Sequence, residues 1–263
     1  MKTIDIISAT YGNLPIVKEC LETWFPLRPN WKVRVYDSKA SELDGTKEYL
    51  HSRKNELGFN LIDDGRILTH SQAIEELLKY STADWVLHLD SDVKVLDKGV
   101  FEWIENTINT TSNKVFGRID DRHFAPHFDH YAKDGNYRFC LPRTASWILL
   151  FERKFINDRK LSFGNMDLRF SATPSTNIMN LAIAHKVDPK TGQIVAPTTL
   201  NVLADVSWQL FWESYRCEVF EKIPKDIWDK FDHKHGGSRK WHADNRDALN
   251  NMRLELKKSA QNI

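Results

Sequence analysis

Over residues 3–95 the chain alternates short apolar runs with amphipathic stretches of helical period, and this rhythm constrains the fold more than any other feature. "TIDIISA" reads as a strand; "YGN" turns the chain into "LPIVKECLETW", where Leu14, Val17, Leu21 and Trp24 share one helical face. "WKVRVYDS" is a second strand ending at Asp37, and "DGTKEYLHSR" a short helix with Asp44 placed to cap it. "GFNLIDD" is a third strand, and "THSQAIEELLKYS" a third helix with Ala73, Leu77 and Tyr80 aligned. Trp85 to Leu89 form a buried fourth strand. Strands and helices that alternate at this length imply right-handed crossovers and a parallel arrangement. The expected fold class is therefore α/β: a Rossmann-like, mostly parallel sheet flanked by helices, begun by a half of about 100 residues.

Past Asp92 the alternation stops. "VFEWIENTI" reads as a helix, "KVFGRI" as a strand, "DDRHFAPHFDHYAKDGNYR" as a polar, His-rich loop, "TASWILLF" as a buried strand and "ERKFIND" as a short helix. Residues 161–203 show no clear period, "DVSWQLFWESYRC" returns to helix, and "NRDALNNMRLELKK" aligns Leu249, Met252 and Leu256 on a last helix. The expected organisation is a main domain over 1–230, divided into 1–100 and 101–230, with a C-terminal extension over 231–263. A chain of 263 residues with 41% hydrophobic and 28% charged residues builds an ample core and is not dominated by disorder. Its net charge of +1 gives no overall attraction to nucleic acid or to an anionic membrane. Cys20, Cys140 and Cys217 are odd in number and far apart, which argues against a disulfide framework or a cysteine zinc site. A cytoplasmic setting is expected, and the apolar run at the N-terminus is too short for a signal sequence or a membrane span.

The fourth strand ends in "LDSDVKVL", which places Asp90 and Asp92 where a core strand runs out. In a parallel sheet, ligands gather at the carboxyl ends of strands. Two carboxylates one residue apart offer hard oxygen atoms to Mg²⁺ or Mn²⁺ bridging a diphosphate. The plain alternative is a turn capped by Asp90 beside a solvated Asp92, and the short motif does not decide between them.

The order of the blocks adds to this. "IDIISATYGNLPIVKECLETW", "VRVYDSKASELDGTKEYL" and "GRILTHSQAIEELLKYSTADWVLHLDSDVKVL" resemble the successive blocks of GT-A glycosyltransferases of the family 2 type. The resemblance implies a GT-A fold in which Thr10 and Tyr11 line the nucleotide base and Asp37 contacts base or ribose. It further implies that Asp90 meets ribose or sugar and that Asp92 binds Mn²⁺ or Mg²⁺. Arg66 is a candidate for a phosphate, or for a surface pair with Asp63 or Asp64. "LADVSWQLFWESY" resembles the family's catalytic block, an acidic residue opening a helix, with Asp205 at the key position and Ala204 where members commonly carry Glu. In "FDHKHGGSRKW" the resemblance points to His233 or His235 as a further metal ligand, His235 ahead because Gly236 and Gly237 let backbone approach a phosphate.

His123, His127 and His130 have spacings of four and three, but Pro126 and their polar neighbours argue for a loop with an acceptor-binding role and against a zinc site. His70, His88 and His185 read as structural. The expected function is a metal-dependent, inverting transfer of a sugar from a nucleotide diphosphate to an acceptor hydroxyl, with Asp205 as base. A glycan, a lipid-linked sugar, a protein or a modified nucleic-acid base all remain open as acceptor. The rival readings are a nucleotidyltransferase, disfavoured by the single glycine in "SATYGNLP", and a non-catalytic carbohydrate or nucleic-acid binding protein.

Overall fold

The computed structural model describes residues 2–118, 127–129, 138–140, 144–163, 166–171, 199–204, 208–234 and 237–261. The first half follows the expected order: β1 (Ile4–Thr10), α1 (Leu14–Trp24), β2 (Lys32–Asp37), α2 (Thr46–Leu57), β3 (Asn60–Ile62), α3 (His70–Tyr80) and β4 (Trp85–Leu89). The chain continues through β5 (Val93–Val95), α4 (Gly99–Thr110), β6 (Val115–Gly117), β7 (His127–Asp129), β8 (Arg138–Cys140), β9 (Ile148–Glu152) and α5 (Arg153–Arg159). It ends with β10 (Met166–Ser171), β11 (Thr199–Ala204), α6 (Trp208–Arg216), β12 (Phe220–Lys222), α7 (Lys225–Trp228), β13 (Phe231–His233), α8 (Gly237–Asp244) and α9 (Arg246–Gln261).

Seven strands form the central sheet in the order β12-β6-β9-β4-β1-β2-β3. It is mostly parallel; β9 is the exception, running antiparallel to both β4 and β6. The pleat sends alternate residues to opposite faces. On one face Ile6, Val35, Leu87 and Leu150 meet Val17, Leu21 and Trp24 of α1 and Phe101 and Ile104 of α4. On the other, Ile7, Tyr36, Val86 and Leu149 meet Ala73, Ile74 and Leu77 of α3 and Phe155 and Ile156 of α5. Both faces are thus dry, as a parallel sheet requires.

Several expectations change in detail. Tyr80 is 49% exposed, and the buried stripe of α3 runs through Ala73, Ile74 and Leu77 instead. Asp44 is not the N-cap of α2, a place taken by Gly45 at φ 81°. Its carboxylate bridges two helix starts, accepting from the Thr46 N–H at 3.1 Å and from the backbone N–H groups of Asn13 and Leu14. The helix expected from Asp205 onward is described from Trp208, and Asp205 itself lies outside the described residues. The segment read as a His-rich loop contains β7, and the aperiodic region contains β10 and most of β11. These join β8 in a second sheet of order β10-β11-β8-β7. The three-residue strands β7 and β8 carry too little period to be read, and β10 and β11 pair across a long separation in sequence.

Candidate active site

Helices that return from parallel strands begin at the sheet edge where those strands end. At this edge lies a cleft of about 310 Å³ walled by Ala9 near the end of β1 and Tyr11 just after it, Thr69 and His70 at the start of α3, and Asp90 to Asp92 after β4. His242 of α8 and Arg253 of α9 close it from the C-terminal side.

The carboxylates are held by backbone on both sides. The Asp90 N–H donates to the Trp147 carbonyl at 3.0 Å, and the Val93 N–H donates back to the Asp90 carbonyl at 3.1 Å, which makes a tight turn of residues 90–93. β5 then pairs antiparallel with β13, with His233 opposite Val93. The Lys234 N–H donates to the Asp92 carbonyl at 3.0 Å and closes this small ribbon. His233 Nε2 consequently lies 3.2 Å from Asp92 Oδ1, while its ring stacks on Trp147 with centroids 4.6 Å apart. One ligand atom each from Asp90, Asp92 and His233 falls within 4.8 Å of the others. Two hard oxygens and one imidazole at this separation suit a divalent ion such as Mn²⁺.

Asp90 has a second set of neighbours. His70 Nε2 lies 2.8 Å and His88 Nε2 3.3 Å from its Oδ1. His88 alternates with Leu87 and Leu89 along β4, so it faces α3, where His70 waits at the first helical position. Burial pushes the His88 imidazole down to about 4, against the pull of Asp90, so this ring is neutral near pH 7. Burial also raises the Asp90 carboxyl, but His70 and then His88 and His233 outweigh it and hold the group below the ordinary carboxylate range. His70, read from sequence as structural, therefore orients the first carboxylate of the pair, and His88 packs buried beside it.

Tyr11 walls the cleft, and its hydroxyl is buried without a hydrogen-bond partner among the described residues. Burial, then Asp90 and Tyr36, push this phenol well above its ordinary value, so it stays protonated and able to donate. Thr10 and Asp37 lie beneath the cleft and are fully buried, paired in register across β1 and β2. The Thr10 hydroxyl donates to Asp37 Oδ1 at 3.2 Å, and Oδ2 of Asp37 has no hydrogen-bond partner. Burial raises the Asp37 carboxyl to about 6, and the Ser41 and Thr10 hydroxyls beside it offset this only in part.

Arg66 lies outside the cleft. Its guanidinium bonds the Asp64 carboxylate and reaches Glu76 at 3.1 Å, the surface pairing that its position after "DDG" had suggested. A further group of ligand type, Asp37, His51 and Asp63, already holds a cation, because Lys47 Nζ is 3.1 Å from Asp63. Asp205 and His235 lie outside the described residues, as do His123 and His130; of that histidine group, His127 is described in backbone only, at the start of β7. No motif singles out His242 or Arg253 in the sequence. His70 had a signal: it follows a capping residue, Thr69, in the helix that leads into β4.

No family model matches the chain, and no curated protein matches it. Solved structures do. S. aureus TarS 1–349 is 19% identical, over 62% of this chain and 50% of that one, with a TM-score of 0.46. The mannosyltransferase PcManGT from Pyrobaculum calidifontis, solved with GDP-Man and Mn²⁺, is 16% identical over 85% and 58%, with a TM-score of 0.48. TarS 1–349 in complex with UDP-GlcNAc is 13% identical over 85% and 59%, with a TM-score of 0.47. The chain spans roughly half to three-fifths of these solved chains. Among the described residues no helix is long and apolar enough to cross a membrane.

Proposed function

We propose that the protein is a metal-dependent glycosyltransferase of GT-A type that moves a sugar from a nucleotide diphosphate to an acceptor hydroxyl with inversion. The observation that carries this reading is the convergence of Asp90, Asp92 and His233 at the carboxyl end of β4, beside a tyrosine with an unanswered hydroxyl. A divalent ion held by Asp92, His233 and Asp90 would neutralise the diphosphate and ease its departure. The remaining work falls to side chains. Tyr11 supplies a ring face for the base and a donor at Oη. Asp90, oriented by His70, accepts from a ribose or sugar hydroxyl. Asp37 and Thr10 brace the floor on which Tyr11 rests, with the free Asp37 oxygen as an acceptor for base or ribose. His235, two residues beyond His233, remains a candidate for the same ion. Asp205, between the end of β11 and the start of α6, takes the acceptor proton as its oxygen attacks the anomeric carbon, so that the donor's bond to diphosphate breaks on the opposite face.

The test is hydrolysis and transfer across a panel of sugar nucleotides, with Mn²⁺ or with EDTA. Turnover of one donor class that disappears in EDTA is the expected result. A non-catalytic binding protein turns over none, and a nucleotidyltransferase releases pyrophosphate from nucleoside triphosphates instead. Asp205→Asn should slow transfer by about 10²–10⁴-fold while donor binding survives. Product that keeps the donor's anomeric configuration contradicts the assignment of a base.

A further inference from the structure

A second cleft, of about 370 Å³, opens between α8 and α9 and shares His242 and Arg253 with the carboxylate cleft. Arg246, Asn250 and Arg253 recur on α9 at steps of four and three, which puts them on one helical face. Leu249, 4% exposed, anchors the helix beside them. Among the described residues no carboxylate lines this cleft.

Several arginines elsewhere among the described residues are answered. Arg34 meets Asp5, Arg66 meets Asp64, Arg216 meets Glu213, and Arg153 donates to the Ala83 carbonyl. Arg246 and Arg253 have no carboxylate within 4.0 Å among the described residues. Two guanidinium groups facing one cavity without a counter-charge repel each other, and an anion in the cavity reverses the sign of that interaction. The guanidinium fork matches the oxygens of a phosphate in particular. Across the cleft, burial and then the Arg253 charge hold His242 below its ordinary value, which leaves a neutral ring able to donate one further hydrogen bond.

We propose that the cleft between α8 and α9 is a phosphate subsite, formed by Arg246, Arg253, Asn250 and His242 and continuous with the carboxylate cleft. Its volume admits a phosphate together with a group the size of a glycerol or a sugar ring. The phosphate belongs either to the donor, reaching past Asp92, or to a phosphorylated acceptor. Only the donor case rests on the function proposed above.

Isothermal titration separates these cases, with glycerol 3-phosphate in the absence of metal and with UDP and GDP in the presence of Mn²⁺. The proteins are wild type, the pair Arg246→Ala with Arg253→Ala, the corresponding Gln pair in case the first folds poorly, and Asp92→Asn. Because both arginines are exposed, circular dichroism and melting of the paired variants should match wild type. The subsite predicts that the pairs weaken at least one probe by about tenfold or more. Loss of glycerol 3-phosphate alone assigns the subsite to the acceptor, and loss of the nucleotides assigns it to the donor. Unchanged affinities in a folded pair, or no binding of any probe to wild type, overturn the proposal. Failure of the donor reading is seen separately, as Mn²⁺-dependent nucleotide binding that Asp92→Asn leaves intact.

Discussion

A single buried carboxyl at Asp37 ties stability to pH. Its folded value of about 6 lies above the ordinary 3.8, so between these values the folded protein keeps a proton that the unfolded chain releases. The stabilisation is fully present below the unfolded value and is lost as pH rises through the folded one. A shift of this size corresponds to roughly 2–3 kcal/mol. Asp37→Asn removes the titration, so the stability of wild type relative to this variant should fall between about pH 4 and pH 7. Urea unfolding of both proteins at the two ends of that range checks it, and a pH-independent difference would mean that Asp37 is solvated. Sequence revealed this residue as the end of a strand. It did not reveal the burial, because burial depends on neighbours such as Ser41 and Asp63 that the fold brings beside its carboxyl.

At the scale of elements, the ribbon of β5 and β13 decides whether Asp92 has a histidine partner. The Lys234 N–H reaches the Asp92 carbonyl, so backbone alone sets His233 beside the Asp92 side chain. Lys234→Pro deletes that donor without touching a ligand and should weaken Mn²⁺ binding by about 10–100-fold, as loss of an orienting contact does. Lys234→Ala keeps the N–H and should titrate like wild type. Equal affinities for the two variants would show that the ribbon does not position the ion. Much of this region was legible in outline. β4 and the two aspartates stand out because a strand with four apolar residues out of five ends abruptly in acid, and α3 because its capping box and apolar stripe agree. The ribbon was not legible, since two three-residue strands from distant parts of the chain have no pattern of their own. The same reason hides β7 and β8, while His70 and His88 look structural until α3 lies across β4.

For the whole molecule, the C-terminal helices wall the carboxylate cleft through His242 and Arg253. A Cβ on Gly12, at φ +103°, would come within 2.3 Å of the Trp241 ring, so the loop after β1 and helix α8 are shaped to each other. Gly12→Ala should cost on the order of 1–3 kcal/mol, part from the positive φ and part from the clash. In a Trp241→Ala background only the backbone part should remain, about 1 kcal/mol. Additive costs in that double-mutant cycle would mean that the two segments do not touch in solution. With this contact in place, Tyr11, Asp90, Asp92, His233, His242 and Arg253 converge from both ends of the chain on one sheet edge. The account stands or falls on whether that edge holds a nucleotide through a metal. Isothermal titration of UDP and GDP, with Mn²⁺ and with EDTA, measures this directly in wild type, Asp92→Asn and His233→Ala. One of the two nucleotides should bind wild type only with Mn²⁺, and both variants should lose about tenfold or more of that affinity. Binding that is equally tight in EDTA, or untouched by either substitution, would contradict it.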